Sequence, residues 1–203
     1  MKFTGIAASP GIGVGPIHLI VAEEYSVKEF VIPDERIEEE VVFFEKALDA
    51  SRRDLAQIRH GIAAELGETE AGIYDAQMLM VDDPELRRAV HESIRRRRNA
   101  GVSFRDYMAG VAARLERVEN EYLRERRADI LDVERRVLRH LMGDGRKGLS
   151  VIERPSVVIA HEIGPSDVAL LDRERVLGFV AEVGGRTSHS ALVAHGRGIP
   201  AVV

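Results

Sequence analysis

A short run near the end of the chain combines glycines, an arginine, hydroxyl side chains and a histidine. It spans Gly184–Ala191, with the sequence GGRTSHSA, between an apolar segment that has the pattern of a buried strand and a segment with helical spacing. Two adjacent glycines allow a tight turn with close backbone approach. Thr187 or Ser188 can cap the helix that follows, which places His189 in its first turn.

A histidine in the first turn of a helix is suited to phosphoryl chemistry. The helix N-terminus offers free N–H groups and a positive dipole potential, both of which favour a phosphate. The same potential disfavours an imidazolium ion and keeps His189 neutral and nucleophilic at about pH 7. Arg186 can neutralise charge on a transferring phosphoryl group. The pattern favours a histidine that accepts phosphate; the competing interpretation is a turn whose histidine is a capping or surface residue.

The composition excludes several other kinds of protein. The chain has 203 residues, of which 45% are hydrophobic and 31% charged, as in a globular protein of one large or two small domains. It has no cysteine, which excludes disulfides, thiol catalysis and cysteine-based metal sites. Its net charge of −5 argues against general binding to nucleic acids or membrane surfaces. No apolar run approaches the ~20 residues of a membrane span and no signal peptide is evident, so we expect a cytoplasmic protein.

The segments around the histidine run fall into three zones. Residues 1–32 contain short β-branched runs between glycine and proline turns, which predict strands. Residues 33–142 have helical periodicity and predict a bundle. Residues 143–203 alternate between strand and helix patterns, which is typical of an α/β domain. We therefore predict an α/β domain built from residues 1–32 and 143–203, with the helical zone inserted. The chain stops within an apolar run, so we expect it to be part of a longer protein.

Capping signals set the expected helix boundaries within the inserted zone. Asp34 is a predicted N-cap for a long helix that Gly67 ends. Asp83 is the predicted N-cap of a later helix, with Pro84 at its first position. The predicted elements that complete the zone are a helix over 71–80, a stop at 99–101, a capping box formed by Ser103 and Asp106, and a last helix over 118–141.

Four stretches, in order along the whole chain, resemble enzyme I of the phosphoenolpyruvate (PEP):sugar phosphotransferase system. The histidine run together with Gly198–Val203 is similar to the phosphohistidine signature of that family. The remaining stretches resemble its N-terminal strands, a segment between its early helices and a motif on the last helix of its helical subdomain; they are Gly5–Gly15, Met78–Leu86 and Tyr122–Asp132. Alone, the histidine run is also similar to those of pyruvate phosphate dikinase and PEP synthase.

The resemblance implies an α/β phosphohistidine domain of the swivelling type with an inserted all-α helical bundle subdomain. It implies that Nε2 of His189 accepts a phosphoryl group from PEP, with Arg186, Thr187 and Ser188 in the same site. In this family PEP is bound by a C-terminal barrel, to which the Mg²⁺ site and the dimer contacts also belong. We therefore expect a monomeric fragment of a PEP–protein phosphotransferase, with no metal or cofactor of its own, that needs the absent domain to use PEP.

The resemblance also implies that the helical subdomain binds the histidine phosphocarrier protein, HPr. Acidic residues beside exposed methionines would suit the basic, partly apolar face that HPr presents. For each residue a structural role competes, because methionines often fill cores and carboxylates often complement a helix dipole. The expected contact residues are Glu68, Met78, Met80, Asp82, Glu85, Leu115 and Arg126.

One position departs from the family pattern, and two rival functions stay open. Val168 stands where the family often has a threonine facing the active histidine, which puts the orientation of His189 in doubt. One rival is the swivelling domain of a dikinase-like enzyme, which would pass phosphate to a small molecule. The other is a docking module whose histidine is not phosphorylated.

Overall fold

The computed structural model of the protein describes residues 4–20, 27–117, 127–143, 152, 154–161, 163, 172, 174–185 and 188–203. The strands in this part of the chain are β1 (Ala7–Ser9), β2 (Ile17–Ile20), β3 (Ser156–Ala160), β4 (Val176–Ala181) and β5 (Ala201–Val202). The helices are α1 (Ile37–Leu66), α2 (Glu68–Val81), α3 (Pro84–Arg95), α4 (Ala100–Glu116), α5 (Arg127–Met142) and α6 (His189–Gly196). Among these helices, none combines the length and apolar character that a membrane crossing requires.

The chain divides into two compact units, here called the sheet unit and the helical unit. The sheet unit comprises residues 1–24, 58–73 and 146–203, and the helical unit comprises residues 25–57 and 74–145. The division differs from the sequence-based one, which gave the whole of 33–142 to the helical insertion. Residues 58–73 group with the sheet because Glu65 pairs with Arg197 at 2.6 Å and Leu66 lies against Gly196. The residues of α1 and of α2 are therefore shared between the units.

The sheet unit is built on one mixed sheet with the strand order β1-β5-β4-β3-β2. The four strands from β5 to β2 are parallel, and β1 pairs antiparallel with β5. Val158 and Phe179 are buried at paired positions of β3 and β4. Helix α6 contacts β1 and β5 and buries Ala191 and Val193. The α/β class predicted for both ends of the chain is confirmed. Within the alternating zone, the sequence pattern also predicts a short helix over 166–171, which lies outside the described residues.

The structure confirms some of the predicted helix ends. Gly67 follows the last residue of α1 with φ +109°, a conformation that glycine adopts without strain. Asp83 caps α3, and its carboxylate accepts the Glu85 N–H at 2.8 Å while Pro84 occupies the first helical position. Helix α2 is longer than the predicted 71–80.

Other predicted helix starts are wrong. Asp34 opens a 3₁₀ turn over Asp34–Arg36, and Pro33 rather than Asp34 stands at its N-cap position. The capping box at Ser103 and Asp106 does not form, because α4 already begins at Ala100. Residues 99–101, which were predicted to end the preceding helix, are therefore the start of α4. The Ala100 N–H is satisfied by the Glu40 carboxylate at 2.8 Å, so that a distant acidic side chain supplies what a local cap would give.

The core of the helical unit forms around large apolar side chains on α1, α3 and α4. The Phe44 side chain is fully buried, with ring centroids 5.9 Å from His91 and 6.0 Å from Phe104. Gln77 and Asp132 are buried polar groups that bond to each other at 3.2 Å. The first part of the last predicted helix, 118–126, lies outside the described residues, and α5 supplies its second part.

A polar cluster joins α1 to α5 within the helical unit. Asp54 Oδ2 lies 2.8 Å from His140 Nε2 and 3.6 Å from a guanidinium nitrogen of the buried Arg136. Burial acts to raise the pKa of Asp54, but the His140 hydrogen bond and the charges of His140, Arg136 and Arg139 outweigh it, and the pKa is lowered from 3.8. A carboxyl with a lowered folded-state pKa stabilises the fold above its ordinary pKa and loses that contribution as the pH falls through the folded value.

Asp54→Asn is therefore expected to lower the free energy of unfolding by about 1 kcal/mol at about pH 7, because the half-exposed carboxylate is partly screened by solvent. The difference from the parent chain should shrink as the pH falls below 3.8. Urea unfolding followed by circular dichroism across this pH range measures both effects. A difference that persists unchanged at the lowest pH would contradict the assigned ion pairs.

Candidate functional site

The turn between β4 and α6 has the geometry that its sequence predicts. Gly184 has φ +152°, and a Cβ atom there would lie 3.3 Å from Val203 Cγ1, so both backbone conformation and space favour glycine. Ser188 is the N-cap, and its hydroxyl accepts the Ala191 N–H at 3.3 Å. The Ser188 N–H donates to the Gly185 carbonyl at 3.0 Å. His189 is consequently the first residue of α6.

The N-cap makes Ser188 a testable part of this turn. Ser188→Ala should destabilise the first turn of α6 by about 1 kcal/mol because the Ala191 N–H loses its acceptor. Hydrogen exchange at Ala191 should then quicken about fivefold. Ser188→Thr, which keeps the oxygen, serves as the control. Unchanged exchange at Ala191 in the alanine variant would show that the hydroxyl does not cap the helix.

The structure describes only some of the predicted site residues. Ser188 and the backbone of His189 are described, whereas Arg186, Thr187 and the side chain of His189 lie outside the described part. Val168, the departure from the family pattern, also lies outside it. Their roles therefore stay predictions, made from the sequence and its resemblance.

A second pair of side chains lies at the carboxyl edge of the parallel strands. His161 follows the last residue of β3 and Glu182 follows the last residue of β4. His161 Nδ1 and Glu182 Oε2 are 2.9 Å apart, with both side chains more than half exposed. The Val183 N–H donates to the His161 carbonyl at 2.9 Å. Sequence reasoning left His161 without a partner, although each residue directly follows a strand of the predicted parallel sheet.

A second histidine of α6, His195, is exposed in the last turn of that helix, at the opposite end from the turn after β4. Among the described side chains, no cluster of three or more histidine, aspartate or glutamate residues could hold a metal ion.

The expected docking residues of the helical unit gather at the junction of α2 and α3. We call residues 78–85 the α2–α3 corner. Met78 and Met80 are half-buried there, which corrects the expectation that they are exposed. Leu79 between them is 73% exposed. Helix α2 turns Tyr74, Gln77 and Val81 into the core, and residue 79 lies on the opposite side of a helix with that spacing.

The acidic docking candidates are all paired with arginines of their own unit. Asp82 lies 2.8 Å from Arg52, and Glu85 lies 2.6 Å from Arg88. The hydrogen bonds and charge of Arg88 hold the pKa of Glu85 below its usual range.

The other docking candidates are dispersed. Glu68 opens α2 in the sheet unit and pairs with Arg59 at 2.6 Å. Leu115 is half-buried near the end of α4, and Arg126 lies outside the described residues. The partner of Asp82 was missed because Arg52 is 30 positions away, a separation at which sequence spacing carries no signal, whereas the Glu85–Arg88 pair has the i,i+3 spacing of neighbours on a helix and could have been predicted.

Comparisons with known proteins cover both units. Residues 4–126 match the family described as PEP-utilising enzyme, N-terminal, and residues 152–203 match PEP-utilising enzyme, mobile domain. The phosphoenolpyruvate-protein phosphotransferase of Listeria monocytogenes is 44% identical over 203 residues, which are 100% of this chain and 35% of the relative. That of Staphylococcus epidermidis is 40% identical over 202 residues, 98% of this chain and again 35% of the relative. The chain thus spans about a third of the length of these relatives.

Two solved structures share the fold. The solution structure of Enzyme I (nEIt) is 35% identical with a TM-score of 0.75, over 99% of this chain and 82% of that one. The N-terminal domain of Enzyme 1 - Nitrogen is 21% identical with a TM-score of 0.71, over 98% of this chain and 81% of that one. The second likeness supports the fold alone, because its identity is low.

Proposed function

This chain belongs to the PEP-utilising enzymes, matching their N-terminal domain and their mobile domain, and from that premise we propose that it is the phosphotransfer part of a PEP–protein phosphotransferase. His189 accepts a phosphoryl group and passes it to HPr. PEP is the first donor, bound by a further domain that also holds Mg²⁺. The chain acts in the cytoplasm.

The position of His189 in the fold carries the proposal. It is the first residue of α6, immediately after the capped turn that Gly184 permits. The turn leaves the carboxyl end of β4, and in open parallel sheets ligands bind outside that edge. The N-terminus of α6 supplies N–H groups and positive potential for a phosphate.

The residues around His189 divide the chemistry among them. The lone pair of Nε2 forms the new P–N bond while the bond from phosphorus to the donor breaks. Arg186 neutralises negative charge on the transferring group. Ser188 caps the first turn of α6, and the resemblance assigns Thr187, which precedes it in the sequence, to the same site. No cofactor is needed for this exchange between two histidines.

The α2–α3 corner supports HPr as the partner. It combines the exposed Leu79 with the carboxylates of Asp82 and Glu85 within the helical unit. An apolar anchor beside acidic groups suits a basic, partly apolar face on the partner. Met78 and Met80 are half-buried within the corner, and Glu68, Leu115 and Arg126 are proposed as contact residues from the resemblance alone.

The proposal is tested by mixing the 203-residue chain with phosphorylated HPr in the absence of PEP. We expect phosphate on the chain that is labile in acid and stable in base, as an N-linked phosphohistidine is. PEP alone should not label the chain. Binding of HPr without any label would favour the docking module, and neither label nor binding would favour the dikinase-like function.

A further inference from the structure

The α2–α3 corner is acidic in sequence but electrically compensated in the fold. Its carboxylates belong to Asp82, Asp83 and Glu85. Arg52 on α1 donates from Nε to Asp82 Oδ2 at 2.8 Å. Arg88 on α3 donates to both carboxylate oxygens of Glu85, at 2.6 and 2.8 Å.

A third arginine completes the compensation and differs from the other two. Arg87 lies 3.7 Å from Asp82 Oδ1, donates to the Asp82 carbonyl at 3.0 Å and also pairs with Glu45 at 3.2 Å. Its side chain is largely buried, so it is part of the framework. Arg88 also pairs with Glu92 at 3.1 Å, so the three arginines offset part of the negative charge of these carboxylates and weaken the long-range attraction for a basic partner.

The side chains of Arg52 and Arg88 are exposed enough to be displaced from their carboxylate partners. Their side chains are 53% and 61% exposed, and ion pairs at such exposure are individually weak. Neither guanidinium bonds to a backbone carbonyl in the described structure, in contrast to Arg87. A cationic side chain of a partner can therefore take the place of either arginine without leaving a carboxylate unpaired.

We propose that Arg52 and Arg88 are guard residues of the docking surface. In the free chain they occupy Asp82 and Glu85, and on docking the lysine or arginine side chains of the basic partner displace them. The inference rests on the proposed function, because it takes HPr as the partner. This displacement makes binding selective for partners whose cations reach both carboxylates. A partner cation that misses a carboxylate does not replace the internal ion pair and adds no binding energy.

The test measures binding of purified HPr to Arg52→Gln and Arg88→Gln variants of the 203-residue chain. Each variant should bind about two- to fivefold more tightly than the parent at low salt, because a carboxylate loses its exposed arginine partner and the surface becomes more acidic. The gain should appear mainly as faster association and should fade as salt rises.

A matched control separates the guard effect from net charge. Arg36 pairs with Glu39 at 3.2 Å and is as exposed as the guards, but it lies roughly 20 Å from Arg52 along α1. Arg36→Gln changes the total charge equally and should leave HPr binding unchanged. In an Asp82→Asn background, Arg52→Gln should no longer tighten binding, since the carboxylate it guards is gone.

The outcomes distinguish this inference from the function it rests on. Unchanged or weaker binding by both guard variants, when the parent binds HPr and is labelled by it, overturns the guard role and leaves phosphotransfer standing. Equal tightening by Arg36→Gln also overturns it, because the effect would be one of total charge. A parent chain that neither binds HPr nor takes its phosphate overturns both.

Discussion

Replacing His189 with alanine should reduce labelling of the chain by phosphorylated HPr to the background level. Under the proposed function, the variant removes the nitrogen that forms the P–N bond. HPr binding should be retained, because the proposed docking residues of the α2–α3 corner belong to the helical unit. Radiolabel transfer and a binding titration on the same preparation measure the two properties.

His195→Ala is the matched control for this prediction. His195 is on the same helix, exposed and in its last turn, so its loss should leave labelling at the parent level. If the His189 variant keeps an acid-labile phosphate, the accepting nitrogen is another histidine. If it loses HPr binding as well, an unfolded variant is identified by its circular dichroism spectrum, and His189→Gln then provides the less disruptive test.

Phe44→Ala should lower the free energy of unfolding by about 3–5 kcal/mol, the usual range for replacing a fully buried phenylalanine with alanine. The ring is 0% exposed and contacts both His91 and Phe104, so the substitution leaves a cavity between α1, α3 and α4. A loss of this size is a large part of the stability of a typical domain. Urea unfolding followed at a helical wavelength measures it.

The neighbouring phenylalanine offers the control. Phe43 is 42% exposed. Phe43→Ala should lower the free energy of unfolding by well under half as much as Phe44→Ala, because it removes less buried apolar surface. Equal losses at the two positions would contradict the assigned register of α1. A loss below about 1 kcal/mol for Phe44→Ala would contradict its place in the core.

Much of the fold was predictable because its signals are local. The periodicity of residues 33–142 and the Asp83-Pro84 pair depend on neighbours a few positions away, and the end of α1 and the start of α3 lie where the sequence predicts them. The start of α4 was missed because its first N–H bonds to Glu40, 60 positions away. The grouping of residues 58–73 with the sheet was missed for the same reason, since the contacts to Gly196 and Arg197 are long-range.

The candidate site was predictable where the backbone determines it. The glycine pair and the serine cap indicated the turn and the helix start, and the resemblance to enzyme I is confirmed by the comparisons. The exposure of the docking candidates was predicted less well, because it depends on which side of α2 enters the core. For this reason the exposed Leu79 was not among the predicted docking residues, and Met78 and Met80 were predicted to be more exposed than they are. The arginine partner of Asp82 became visible only in the fold, whereas that of Glu85 follows it by three positions on α3.

The sharing of α1 and α2 between the two units has a consequence for dissecting the protein. One dissection would excise residues 33–142 and rejoin the two ends of the sheet with a short linker. The excised fragment would include residues 58–73, which belong to the sheet unit. The remaining sheet would lose the Leu66 side chain that lies against Gly196 and the Glu65 partner of Arg197. Ile62 and Ala71, both buried, would go with them. A minimal phosphohistidine fragment should therefore retain the α1–α2 hairpin tip, from residue 58 to 73, as part of its own hydrophobic core.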